Sequence, residues 1–430
     1  MSRCLNWVCG SHGQAPKRKK SVMDLPTSDI HKQAVKSLDT TSLLTNAARQ
    51  RDARNYDSFP IIDVDCHHYE NESLSEIVKY IDDPVLKQMG MLYTGGGTGG
   101  QSPLNPGGVG YQDVSGRVTR YPLRKTETTP SDDQHRDVHL SLRWMNAMGV
   151  DYVCLFPTPM LSLGLHPQPE VEAGLSKAYN RWLLENITSK EERIKTMIYV
   201  PFSDPEAAYE TVKEFGDHPD VIGFMIVSVR YQAVHNNAYM KTYALMEELG
   251  KPLGFHSNYN WNDRLVGNAN RFLVTHALGF TVYNALHLCN WVVNGMPERF
   301  PKLKTIWIES GLAWIPWVMQ RLDNDYKMRW SEAPSLKGLP SDYMREMFYT
   351  SQPMEIPDNP DVLKMTFDMI NADDQLLWAS DYPHWDMDVP GVIYDLPFLD
   401  ERQKRKMLGG NAIDLFNLDV SKRFPNYKPA

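Results

Sequence analysis

Cysteine is scarce in this chain: five in 430 residues, at Cys4, Cys9, Cys66, Cys154 and Cys289. They are odd in number, scattered and without Cys-x-x-Cys spacing, which argues against a disulfide framework or a structural zinc ribbon and points to a reducing compartment. Long apolar runs are missing as well. No stretch approaches the roughly 18 residues that cross a bilayer, and the first residues lack the charged, apolar and small-residue order of a secretory leader. The cytoplasm is therefore the expected location, with no membrane partner. Basic charge is not in surplus either, with 45 Lys and Arg against 53 Asp and Glu and a net charge of −8. Nucleic acid is consequently not an expected partner. The Gly-rich run YTGGGTGGQSPLNPGGVG, Tyr93 to Gly110, has no GK[ST] after it, so it is not a phosphate cradle. No internal repeat suggests a solenoid.

What is present begins at Phe59 to Glu70, FPIIDVDCHHYE, where an apolar lead-in meets a cluster of metal-ligating side chains. Side chains alternate faces along a strand, so Asp63, Asp65 and His67 share one face while Cys66 and His68 point away. A carboxylate and an imidazole two residues apart suit a divalent ion such as zinc or manganese.

Further strand-like runs follow at Tyr152–Phe156, Ile194–Val200, Val221–Val227, Pro252–His256, Leu303–Glu309, Met347–Thr350 and Leu376–Asp381. Helical patterns separate them at Val138–Met148, Glu170–Asn186, Pro205–Phe215, Asn237–Leu249, Val282–Asn294, Leu312–Arg329 and Asp361–Met369, with a last one near Glu401–Leu415. Strands written as unbroken apolar runs and alternating with helices indicate a parallel sheet covered by helices. The expected fold is of the α/β class, a (β/α)8 TIM barrel with an N-terminal extension and a Gly-rich insertion after strand 1. Residues 1–57 form the extension, 58–420 the barrel with the insertion at about 90–130, and 421–430 a tail. The basic run Lys17 to Lys20 reads as solvated charge.

Chemistry in such barrels collects at the carboxyl ends of the strands. Strand 1 ends at Asp65 and His67, strand 5 at His256, strand 6 at Glu309 and strand 8 at Asp381. Ionisable groups closing four apolar strands are costly unless paired or bound to metal. A convergent metal site is therefore expected.

The constellation resembles the amidohydrolase superfamily, and within it the group that includes the aminocarboxymuconate-semialdehyde and γ-resorcylate-type decarboxylases. The matching pieces are IIDVDCH at 61–67, GFHS at 254–257, GMPERFPKLKTIWIESGLAWIPWVMQRLD at 295–323 and LLWASDYPHWD at 376–386. The resemblance implies that Asp65, His67, His256 and Asp381 hold one divalent metal ion, zinc first and manganese second. It also implies a small-molecule substrate and a homodimer. Two departures stand out: Asp65 replaces the first histidine of the commonest motif, and Glu309 stands where several members carry a histidine.

With those ligands Asp381 serves either of two reactions. It protonates a carbon as carbon dioxide leaves an aromatic or dienoic acid, or it takes the proton of an activated water in hydrolysis of an amide, ester or lactone. The resemblance favours decarboxylation; hydrolysis is the alternative, and a barrel that binds without catalysis is a third. Glu309, His276 and His384 are the further catalytic candidates. Arg230 is a candidate clamp for a substrate carboxylate, and Tyr259, Trp261, Trp314 and Trp385 are candidate walls for a flat ring.

Overall fold

The computed structural model describes residues 40–94, 128–259, 263–384 and 386–428. The basic run, most of the Gly-rich insertion, Trp261 and Trp385 lie outside the described residues. Eight strands run parallel in sequence order: β1 Ile62–His67, β2 Tyr152–Phe156, β3 Ile194–Tyr199, β4 Val221–Val227, β5 Leu253–His256, β6 Thr305–Ile308, β7 Phe348–Thr350 and β8 Leu376–Leu377. The end of β8 returns to β1, where Val64 N–H donates to Trp378 O at 3.1 Å and His67 N–H to Tyr382 O at 2.6 Å. The sheet thus closes into the expected (β/α)8 barrel.

Almost every strand side chain is buried, because the barrel interior covers one face and the helices cover the other. Burial of each large aliphatic contributes about 1.5–3 kcal/mol. Met197 of β3 fills interior space that Gly223 and Gly254 leave open; a methyl at either glycine would lie within 3.0 Å of its terminal carbon.

Strands 6 and 8 stop short of their expected ends, for a local reason. After Leu377 the backbone N–H groups of Ala379 and Ser380 turn to the side chains of Ser351 and Asp63 and leave the ladder. Asp381 then adopts the left-handed region at φ 56°. Glu309 does the same past β6, at φ 57°, and its N–H donates to Thr350 Oγ1 at 2.9 Å. Left-handed backbone is uncommon for residues with a Cβ, and here it occurs at the two acidic residues that close β6 and β8.

Helices cover the outside. Those used below are α1 Thr40–Arg54, α2 Arg136–Met148, α3 Pro169–Asn186, α4 Phe272–Val293 and α5 Trp314–Arg329. α4 starts at Phe272, not at the expected Val282, because its 22 residues carry no Lys, Arg, Asp or Glu and its apolar side chains lie on both faces. Amphipathic periodicity, the signal that delimits surface helices, is accordingly weak there. α1 lies within the region expected as an extension and is fastened to the barrel. Arg54 makes a bidentate pair with Asp395 at 2.9 and 2.6 Å, and Arg51 donates to Asn146 O at 2.7 Å.

Candidate metal centre

The ends of β1, β5, β6 and β8 converge. Asp65, His67, His256 and Glu309 offer ligand atoms within 4.8 Å of one another, and His67, Asp381 and His384 form an overlapping group at the same spacing. His67 Nε2 lies 3.1 Å from Asp65 Oδ1 and 3.4 Å from Asp381 Oδ1, while His256 Nε2 lies 3.2 Å from the same Asp65 oxygen. All four side chains are buried.

Two backbone carbonyls fix the imidazole tautomers. His67 Nδ1–H donates to Pro157 O at 2.8 Å and His256 Nδ1–H to Ser257 O at 2.9 Å. A carbonyl only accepts, so each Nδ1 carries the proton and each Nε2 lone pair faces the centre. This is the arrangement by which metal-binding histidines are oriented.

The carboxylates hold spare acceptor capacity. Asp65 Oδ2, Glu309 Oε2 and Asp381 Oδ2 are buried and have no hydrogen-bond partner among the described residues. Buried carboxylate oxygens are costly when unsatisfied. Two imidazoles and two carboxylates within 4.8 Å of one another, with Asp381 joined to them through His67, fit a divalent cation.

Electrostatics follow from crowding acids in a dry place. Burial and then the Asp381 and Asp65 charges push the Glu309 carboxyl well above its usual range. Burial likewise pushes Asp381 up, against the pull of His67. Burial acts on Asp65 too, but the facing His256 and His67 outweigh it and hold that carboxyl below the usual range. Burial, and then His384, pushes His67 down, favouring the neutral imidazole that a cation requires.

His384 sits directly above Asp381, with Nδ1 2.6 Å from Asp381 Oδ1 and Nε2 3.2 Å from Thr158 Oγ1. His276 stands farther out on α4 and faces Asp386, its Nε2 3.3 Å from a carboxylate oxygen. Tyr259 packs beside His276 and Phe280, with ring centroids 6.0 and 5.3 Å away. His68 turns away as alternation requires, bonded to Asp137 and Tyr179 at 2.9 Å each.

Two residues expected at the substrate make contacts to the scaffold. Arg230 is buried; its Nη2 pairs with Glu172 at 3.0 Å and its Nε donates to Val227 O. Two of its nitrogens are thus engaged by the barrel, while Nη1 is buried without a hydrogen-bond partner among the described residues. Trp314 is buried at the start of α5 with Nε1–H on Gly311 O at 3.0 Å, so it packs a helix onto the barrel.

Three further residues brace the centre. Asp63 shares the inward face of β1 and accepts from Ser380 N–H at 2.9 Å and Ser380 Oγ–H at 2.5 Å, tying β1 to the residue before Asp381. Burial, offset in part by those two bonds, pushes its carboxyl up to about 7. Glu70 accepts from Thr158 N–H at 2.8 Å and Met160 N–H at 2.6 Å. Thr158 itself contacts His384. The alternation that grouped Asp63 with Asp65 was its signal; Glu70 and Thr158 depend on contacts about 90 residues apart in the chain and have none.

Comparison with known proteins bears on the family and the fold. The family model described as Amidohydrolase matches residues 62–418. Among curated proteins, the chain is 20% identical over 267 residues to the gamma-resorcylate decarboxylase of Rhodococcus jostii (strain RHA1), covering 59% of this chain and 79% of that one. It is 20% identical over 292 residues to the 2-amino-3-carboxymuconate-6-semialdehyde decarboxylase of Dictyostelium discoideum, covering 66% and 78%. Among solved structures, the 5-carboxyvanillate decarboxylase of Sphingomonas paucimobilis superposes with a TM-score of 0.58 at 18% identity, over 84% of this chain and all of that one. The dihydroxybenzoic acid decarboxylase of Polaromonas sp. JS666, which contains manganese and the inhibitor 2-nitroresorcinol, gives 0.58 at 17% identity over 85% and 99%. These superpositions speak to the fold.

Proposed function

This chain belongs to the amidohydrolase family, and from that membership we propose that it is a metal-dependent non-oxidative decarboxylase of a small aromatic or dienoic carboxylic acid. One observation carries the reading: a buried cluster with unsatisfied carboxylate oxygens, in a chain whose relatives bear decarboxylase names. In this reading Asp65, His67, His256 and Asp381 hold one divalent ion, with Glu309 within reach. Manganese is favoured over zinc, since three carboxylates beside two imidazoles make an oxygen-rich set and zinc prefers a four-coordinate site. When bound, the ion supplies positive charge that orients the substrate carboxylate and offsets negative charge building in the transition state.

The chain's own residues do the rest. Asp381 carries a proton and delivers it to the carbon that bears the carboxylate. The electron pair of the breaking carbon–carbon bond becomes the new carbon–hydrogen bond, and carbon dioxide leaves. His384, hydrogen-bonded to Asp381, returns a proton to it between turnovers. Tyr259, beside Phe280 and His276, supplies an apolar wall against which a flat ring stacks.

The test is incubation of metal-loaded protein with hydroxybenzoates, other aromatic and dienoic acids, anilides and lactones, followed by mass. Loss of carbon dioxide from an acid is the expected result. Gain of water by an amide, ester or lactone would replace this reading with hydrolysis on the same centre.

A further inference from the structure

Glu70 lies three residues beyond His67, at the start of the short turn Glu70–Ser73, and is fully buried. Its side-chain hydrogen bonds among the described residues go to none of the groups proposed to bind metal. Its two oxygens instead grip the loop that leaves β2: Oε2 accepts from Thr158 N–H and Oε1 from Met160 N–H. That loop makes two contacts to the centre. Pro157 O accepts a hydrogen bond from His67 Nδ1–H at 2.8 Å, and Thr158 Oγ1 meets His384 Nε2 at 3.2 Å. The backbone between β1 and the same loop is also joined, by His68 N–H on Phe156 O at 3.1 Å.

We infer that Glu70 is a positioning residue of the metal centre, setting the orientation of His67 and the place of His384 through the Pro157–Met160 loop. The inference rests on the metal-centre reading above. The chemistry fits the task. Both oxygens of the carboxyl accept, so it holds two N–H donors at once. Glutamine cannot: it offers one oxygen and points an N–H at the second donor. Loss of the grip lets the loop relax, and the carbonyl that fixes the His67 tautomer moves with it. Groups that orient a metal-bound histidine in this way typically change metal affinity by about 10–100-fold when removed.

The experiment uses full-length protein and manganese(II) alone, titrated by electron paramagnetic resonance, with thermal melting measured in parallel. Wild type, Glu70→Gln, Glu70→Asp and, as a control, Glu172→Gln are compared. Glu172 is another buried carboxylate, but it serves Arg230, Tyr199 and Ser203. Glu70→Gln is expected to weaken manganese binding about 10-fold or more and to alter the spectrum of the bound ion, with Glu70→Asp in between. Glu172→Gln is expected to lower the melting temperature with affinity and spectrum unchanged. If Glu70→Gln does not fold, Glu70→Asp decides by the same two readouts. Affinity and spectrum equal to wild type in the folded variant would overturn the role of Glu70, as would equal changes in Glu172→Gln. A wild-type protein that binds no manganese, zinc or other divalent ion would instead overturn the metal-centre reading beneath it.

Discussion

Two buried charged clusters occupy the carboxyl-end side of the same barrel, and they are resolved in different ways. Past β3 and β4, Glu172 accepts from Arg230 and the Tyr199 hydroxyl with one oxygen and from Ser203 N–H with the other. Acid and base cancel there, and both carboxylate oxygens are used. Past β1, β5, β6 and β8, three acids gather about two imidazoles, and three carboxylate oxygens have no hydrogen-bond partner among the described residues. Among the described residues, the ion pairs of those three acids are all with histidines. Buried charge alone therefore does not mark a site, because an acid with both oxygens used is a way of building the barrel. Leftover acceptor capacity, held rigid and facing inward, is the distinguishing feature.

Substitutions separate the two clusters. The largest effect is expected at Asp381, where Asp381→Asn should cut turnover by about 10²–10⁴-fold while the melting temperature stays near wild type; steady-state assay on the substrate found by mass checks it. His256→Ala should come next, lowering bound metal from about one ion per chain to near zero in elemental analysis. Unchanged stoichiometry would remove His256 from the centre. At the other cluster the expectation reverses. Glu172→Ala should leave Arg230 buried without its counter-charge and cost about 3–5 kcal/mol in denaturant unfolding, with metal content unchanged. Loss of metal in that variant would mean that the two clusters are coupled.

The smallest effect concerns a buried acid that belongs to neither. Burial, opposed by Ile61 N–H and Arg423, raises the Asp151 carboxyl to about 6. Its pKa is thus higher folded than unfolded, the folded state holds its proton longer, and stability falls as pH rises from about 4 to about 6. Asp151→Asn removes that slope. Its stability relative to wild type should climb across this window by on the order of 1–3 kcal/mol, as read from denaturant midpoints at each pH. A constant difference would show that Asp151 titrates normally.

The barrel was legible because its strands are apolar runs buried on both faces. Val221–Val227 and Tyr152–Phe156 have the same bounds in sequence and structure. The convergence of Asp65, His67, His256, Glu309 and Asp381 was legible too, since a barrel brings strand ends together whatever lies between them. What escaped depends on long-range contacts. Arg230 looks like an exposed clamp until α3 delivers Glu172 to it, and the start of α4 is hidden by a helix without a polar stripe. The turns that end β6 and β8 are stabilised by Thr350, Ser351 and Asp63, none of them a neighbour in sequence.

The unsatisfied cluster is proposed to hold a metal ion that serves decarboxylation. That role is tested most directly by elemental analysis of protein purified without chelator, with carbon dioxide release from an acid panel measured on the same sample before and after metal removal. About one divalent ion per chain is expected, with release that stops on chelation and returns with manganese. Protein without metal, or metal-loaded protein that adds water to a substrate and releases no carbon dioxide, would contradict it.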